Sequence, residues 1–202
     1  MSYGGYGGHP QGGYGAPPGQ PYGQPAGYGA PPGVDPQVFA WFAAVDTDRS
    51  GKISQNELQQ ALTNANWSHF NAETCKLMIG MFDRDRSGTI DVNEFQALWN
   101  YIHQWKAVFD RYDRDRSGSI DPNELNQAFN EMGFRLSPQF ANFAVTRFDH
   151  TGQRRMTLDN FIQACVMLRT VTDMFRQRDT AQQGSINISY EDFMTVCISS
   201  KP

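Results

Sequence analysis

Residues 113–124 read DRDRSGSIDPNE, and the same twelve-residue pattern stands at 83–94 (DRDRSGTIDVNE) and at 46–57 (DTDRSGKISQNE). Each copy has oxygen-bearing side chains at positions 1, 3, 5 and 12, Gly at position 6 and Ile at position 8. A hard dication such as Ca²⁺ takes about six to eight oxygen ligands. A loop of this kind supplies them from carboxylates at positions 1 and 3, an oxygen at 5, a backbone carbonyl at 7 and a bidentate carboxylate at 12. The candidate ligands are therefore Asp46, Asp48, Ser50, Lys52 and Glu57 in the first loop, and Asp83, Asp85, Ser87, Thr89 and Glu94 in the second. In the third they are Asp113, Asp115, Ser117, Ser119 and Glu124. Position 6 must turn at positive φ, and it is Gly51, Gly88 and Gly118. Acidic, Gly-containing loops also occur as plain surface turns, but three complete copies between amphipathic segments do not fit that reading. The expectation is up to three Ca²⁺ sites. Ser at position 5 gives each site a neutral hydroxyl in place of Asp or Asn, which points to sensor affinities of roughly 10⁻⁷ to 10⁻⁵ M.

Two degenerate copies follow. From Asp149, DHTGQRRMTLDN puts Thr151 at position 3, Arg154 where Gly is expected, Arg155 at position 7 and Asn160 at position 12. From Asp179, DTAQQGSINISYED keeps Gly184 but has Ala181 at position 3, and its next acids, Glu191 and Asp192, fall beyond position 12. Both loops are expected to be empty.

Spacing sets the architecture. Only 18 residues separate Glu94 from Asp113, too few for two helices and a linker, so one continuous helix must serve both loops. Its apolar residues Phe95, Leu98, Trp99, Ile102, Trp105, Val108, Phe109 and Tyr112 follow the i, i+3, i+4, i+7 stripe. A second such helix carries Leu158, Phe161, Ile162, Cys165, Leu168 and Phe175. Breaks are expected at 64–71 and 133–138, with Ser137 as a cap before Pro138, and Asp35–Pro36 repeats that start signal. Helix-loop-helix units pair through their position-8 residues, which predicts Ile53 against Ile90 and Ile120 against Met156. Ile186 in the fifth unit is left without an intramolecular partner, so association of two chains through their fifth units is expected. The fold class is all-α: two pairs plus an unpaired fifth unit over residues 34–202, behind a disordered tail over 1–33.

That tail holds 12 of the 19 Gly, 7 of the 11 Pro and 5 of the 8 Tyr, and no Asp, Glu, Lys or Arg. Without Leu, Ile, Val, Phe or Trp it cannot offset roughly 1–2 kcal/mol of backbone ordering per residue. It reads either as a solvated spacer or as an arm making multivalent contacts with membranes or Pro-binding modules; its YGAPPG phrase occurs at 14–19 and 28–33. A net charge of −4 argues against a nucleic-acid binder. The longest apolar run, 38–45, is far short of the roughly 20 residues a spanning helix needs. The start of the chain lacks the features of a secretory signal, and Cys75, Cys165 and Cys197 form no metal or disulfide pattern, so a cytoplasmic setting is expected.

Five such units behind a Gly/Pro/Tyr-rich tail, with the phrases FNAETC (70–75), GFRLSPQ (133–139) and RDTAQQG (178–184), resemble the penta-EF-hand family along the whole chain. The resemblance implies a calcium sensor or adaptor without enzymatic activity. It implies a homodimer, or a heterodimer with another penta-EF-hand protein, through the fifth unit, and Pro-rich or membrane-associated partners with peripheral membrane contact. It also implies action at endoplasmic-reticulum exit sites and coat-protein-II vesicles. A passive calcium buffer and a regulatory subunit of an enzyme, similar to the calpain small subunit, are the alternatives. Candidate apolar residues for calcium-dependent exposure to partners are Trp99, Tyr101, Trp105, Met132, Phe134 and Phe140, although each fits ordinary core, the commoner fate at helical spacing. Arg84, Arg86, Arg114 and Arg116, at non-ligand loop positions, are expected to face solvent.

Overall fold

A computed structural model describes residues 29–149 and 152–199. The expected disorder of the tail falls mostly on 1–28, outside the described residues, and so does Thr151 of the fourth loop. Eight helices run in chain order: α1 Pro36–Val45, α2 Gln55–Ala61, α3 Ala72–Phe82, α4 Val92–Tyr112, α5 Pro122–Glu131, α6 Pro138–Phe148, α7 Leu158–Arg178 and α8 Tyr190–Ser199. The two continuous helices expected from spacing are α4 and α7, and both breaks fall where expected.

The helix starts follow from local chemistry. Asp35 accepts hydrogen bonds from the Gln37 and Val38 N–H groups at 2.7 and 3.4 Å, with Pro36 in the first turn. Ser137 accepts from the Phe140 N–H at 3.2 Å before Pro138. Each satisfies a donor that the first helical turn leaves without a partner. In the first three loops, position 9 is the helix cap and position 12 is the third helical residue. The pairs Ser54/Glu57, Asp91/Glu94 and Asp121/Glu124 are therefore reciprocal capping boxes. One glutamate thus ends the loop and starts the helix.

The units pair as the register predicts. Ile53 and Ile90 exchange backbone hydrogen bonds at 2.8 and 2.9 Å, as do Ile120 and Met156, and all four side chains are fully buried. Helices α4 and α7 form the centre of the bundle: α4 packs on α1, α3, α5 and α7, and α7 also packs on α3 and α6. Where they cross, Phe161 takes the edges of Trp105 and Phe109 at centroid distances of 5.8 and 5.7 Å. A fully buried Phe contributes about 1.5–3 kcal/mol, and cutting Phe161 to Ala is expected to cost about 3–5 kcal/mol through the cavity left behind.

Two edges of the module carry information. Residues 31–34, mostly assigned to the tail from sequence, form a turn in which the Pro31 carbonyl accepts from the Val34 N–H at 3.0 Å and Gly33 has φ +88°. Gln96 on α4 fastens it, donating to the Gly33 carbonyl at 3.3 Å and accepting from the Asp35 N–H at 2.7 Å. At the other end, no described residue after Cys165 is buried. The fifth unit instead presents Tyr190, Phe193, Met194 and Ile198 to solvent, with Tyr190 79% and Ile198 66% exposed. Ile186 takes part in no bridge among the described residues.

Candidate calcium centres

All five loops share one backbone template. The aspartate at position 1 accepts two backbone N–H bonds that draw the loop into a ring. In the first three loops the donors are residues 5 and 6: Ser50 and Gly51 to Asp46 (both 2.9 Å), Ser87 and Gly88 to Asp83 (2.9 and 2.7 Å), and Ser117 and Gly118 to Asp113 (2.9 and 2.8 Å). Gln183 and Gly184 do the same to Asp179. Such tight rings need positive φ, and Gly51, Gly88, Gly118 and Gly184 supply it at +72° to +78°.

In the first three loops carboxylates converge. Oxygens of Asp46, Asp48 and Glu57 lie within 4.8 Å of one another, as do those of Asp83, Asp85 and Glu94, and of Asp113, Asp115 and Glu124. The position-12 glutamate clasps both ends of its loop. Glu57 accepts from the N–H groups of Thr47 and Ser54, both at 2.9 Å. Glu94 accepts from Arg84 and Asp91 at 2.8 and 2.9 Å, and Glu124 from Arg114 and Asp121 at 2.9 and 3.0 Å. At position 5 the hydroxyls of Ser50 and Ser117 donate to the position-7 carbonyls of Lys52 and Ser119 at 2.8 and 2.9 Å, and Ser87 reaches the Thr89 carbonyl at 3.4 Å. Every oxygen expected from the ligand pattern is thereby gathered at its loop.

The electrostatics of these clusters suit a dication. Backbone and hydroxyl donors hold some carboxylates ionised: Glu57 sits down at about 2, chiefly through the Ser54 N–H. Asp115 also sits at about 2, chiefly through the Ser117 hydroxyl, and Asp85 is likewise held low by Ser87 and then Lys52. Asp113 goes the other way, pushed up by burial and by the neighbouring Asp115 and Glu124. Clustered anions in partial burial, with oxygen the sole donor type, fit Ca²⁺. When bound, the ion would supply the positive charge that the cluster lacks.

The fourth loop departs from this chemistry while keeping the ring. Asp149 accepts from the Gly152 and Arg154 N–H groups at 3.1 and 2.5 Å. Arg154, standing where the template has Gly, adopts φ +55°. Among the described residues no acidic cluster forms there. The end of this loop holds helix α3. Asp159, only 2% exposed, accepts from the Asn71 N–H at 2.7 Å and from its side-chain amide at 2.9 Å, while Asn160 Oδ1 accepts from the same amide at 2.6 Å. The Asp159 carbonyl accepts from the Thr74 hydroxyl at 3.2 Å, and the Asp159 N–H donates to Asn64 at 3.3 Å.

In the fifth loop α8 starts at position 12 rather than position 10, with the Ser189 hydroxyl accepting from the Asp192 N–H at 3.1 Å. The loop is two residues longer than its template: position 12 is Tyr190, and Asp192, the third helical residue, bonds Ser189 and joins no acidic cluster among the described residues.

The candidates for partner contact, Trp99, Tyr101, Trp105, Met132, Phe134 and Phe140, are half-buried against the core, the alternative that the sequence left open for each. Trp41 stacks on Trp99 at 5.7 Å and Phe82 meets Tyr101 edge-on at 5.3 Å, contacts that periodicity alone cannot assign. The exposed apolar residues are others: Trp67, Met81, Phe143 and Met167 besides those of α8. Sequence reasoning missed Arg155, whose side chain lies in the third loop, not its own. The expected exposure of Arg84, Arg86, Arg114 and Arg116 is observed.

Paired loops with oxygen clusters between capped helices define the EF-hand class of calcium-binding proteins. The sequence profile of the EF-hand domain pair family matches residues 37–99 and 103–166. Human peflin is 54% identical over 172 residues, 85% of this chain and 61% of that protein. Xenopus laevis peflin is 50% identical over 95% of this chain and 65% of its own length. The chain therefore spans less than two thirds of these peflins, whereas human sorcin is 45% identical over 96% of this chain and 98% of its own. A solved homologue of programmed cell death 6 protein from Leishmania major superposes with a TM-score of 0.71 at 28% identity, covering 81% of this chain and 93% of that one. The chain belongs to the penta-EF-hand family of calcium-binding proteins.

Proposed function

We propose that this chain is a calcium sensor and adaptor that is not itself an enzyme. Its ions are held by Asp46, Asp48, Ser50, Lys52 and Glu57, by Asp83, Asp85, Ser87, Thr89 and Glu94, and by Asp113, Asp115, Ser117, Ser119 and Glu124. The observation that carries this reading is the double duty of Glu57, Glu94 and Glu124, each placed in an acidic cluster and in the capping box of the outgoing helix. Any movement of that carboxylate toward an ion moves the helix that it caps, which is how sensor hands expose apolar surface.

Dimerisation proceeds through the fifth unit, where Ile186 and the exposed Phe193 and Ile198 await a second copy or another penta-EF-hand chain. The cell compartment is the cytoplasm, with calcium-dependent recruitment of Pro-rich proteins or membranes and a role in endoplasmic-reticulum-to-Golgi vesicle transport; family resemblance supports this part. The test compares the full chain with calcium and with chelator. Binding of an apolar dye should rise with calcium, and light scattering should give a dimer that Phe193→Ser with Ile198→Ser converts to monomer. An unchanged dye signal reduces the protein to a passive buffer, and a monomeric parent chain removes the dimer.

A further inference from the structure

In each EF-hand pair one cation reaches across the bridge into the partner loop. Position 7 lies next to the bridging residue, so a long side chain there can reach the neighbouring loop. Lys52, at position 7 of the first loop, places Nζ 3.2 Å from Oδ2 of Asp85, at position 3 of the second. Arg155, at position 7 of the fourth loop, does more. Its Nη1 lies 2.5 Å from the Ser117 hydroxyl oxygen and 3.3 Å from that of Ser119, and its Nη2 is 3.3 Å from Oδ2 of Asp115. The guanidinium thus spans positions 3, 5 and 7 of the third loop. The reverse direction is closed in both pairs, since Thr89 and Ser119 stand at position 7 of the second and third loops with short neutral side chains. Two pairs therefore carry the same one-way device at the same register.

We propose that Arg155 is a built-in competitor for the third calcium site, through which the fourth loop weakens calcium binding in its partner, and that Lys52 acts in the same sense on the second. The inference rests on the third loop being a calcium site. Asp115 and Ser117 belong to that loop's ligand set, and the guanidinium engages one oxygen of each. An arriving dication meets a unit positive charge at the edge of its oxygen cage and a serine lone pair already used. Arg155 engages three side chains and Lys52 one, so the third site feels the larger effect. A loop without a ligand set of its own then still sets the calcium threshold of its neighbour.

The test uses the full chain carrying Glu57→Gln and Glu94→Gln, which leaves the third loop to be read alone by calorimetric titration with CaCl₂. Arg155→Gln is expected to tighten the dissociation constant about tenfold, the scale of removing one unit charge beside a divalent ion in a high dielectric. Arg155→Lys should stay near the parent, and the difference should shrink at about 0.5 M KCl through screening. A gain of binding by Arg155→Gln where the parent is silent supports the inference in its strongest form. Equal or weaker binding by Arg155→Gln overturns it, because the guanidinium would then organise the site rather than oppose it. Silence of both chains overturns the calcium reading of the third loop and the inference with it. Should Arg155→Gln not fold, judged by circular dichroism in chelator, the decision passes to Lys52→Gln in a chain with Glu57→Gln and Glu124→Gln. There a two- to threefold tightening supports the device and an unchanged constant overturns it.

Discussion

The third and fourth loops sit back to back across one bridge and obey the same backbone rules to opposite ends. Both begin with an aspartate that closes a ring on backbone N–H groups, and both deliver a buried residue at position 8. In the third, Glu124 at position 12 turns back to its own loop and caps its own helix. In the fourth, Asp159 and Asn160 at positions 11 and 12 bond Thr157 of their own loop and grip Asn71 at the start of α3. The helix-loop-helix template is thus a scaffold whose closing residues are free to bind either an ion or a distant segment of the same chain. Ring geometry comes from backbone hydrogen bonds and positive φ; what the ring holds comes from two or three side chains.

Several substitutions can break or sharpen that contrast. The largest effect is expected from Asp159→Ala, which leaves the half-buried Asn71 N–H without its acceptor and removes most of the clasp on α3. Chemical denaturation should show a loss of about 3 kcal/mol, of similar size with calcium or chelator, because the damage lies outside any metal site. A loss confined to the calcium-loaded chain would mean that the fourth loop is a metal site after all. Next comes Glu124→Gln, which keeps the shape of the cap but removes the charge. Calcium affinity of the third loop should fall about 100-fold, or about 2.7 kcal/mol, with the unfolding midpoint in chelator nearly unmoved.

Asn160→Glu restores a carboxylate at position 12 of the fourth loop and is expected to gain no calcium. It should cost about 1–2 kcal/mol of stability by placing a second charge beside buried Asp159. Calorimetric uptake of an additional equivalent would erase the distinction between the two loops. The smallest change is expected from Arg154→Gly, which relieves a non-glycine residue at φ +55° and should raise stability by up to about 1 kcal/mol. A drop instead would show that the exposed Arg154 side chain contributes to the fold.

The parts of this molecule that were legible share a property: their cause is local. The acids of the three loops, the caps at Asp35 and Ser137, and the register of Ile53 with Ile90 and Ile120 with Met156 all follow from residues within one unit or from the repeat spacing. Which apolar residues stay uncovered was not legible in this way. A helical stripe marks Trp99 and Trp105 as apolar but does not say that Trp41 and Phe161 cover them, nor that Phe143 and Trp67 stand uncovered. The fourth loop lacks a full oxygen set in sequence, and nothing in that stretch gives it another role. Its role depends on Asn71, 88 residues from Asp159 along the chain.

The sequence by itself determined how many loops there are, which of them carry a full set of oxygens, and how the units pair, because short-range chemistry and repeat spacing dictate those features. Tertiary packing alone decided that Asp159 and Asn160 would tie two units together, that Arg155 would lie against its neighbour's ligands, and that Trp67 and Phe143 would stand in solvent. Those outcomes depend on which surfaces meet, and periodicity says which residues share a face without saying what will cover it.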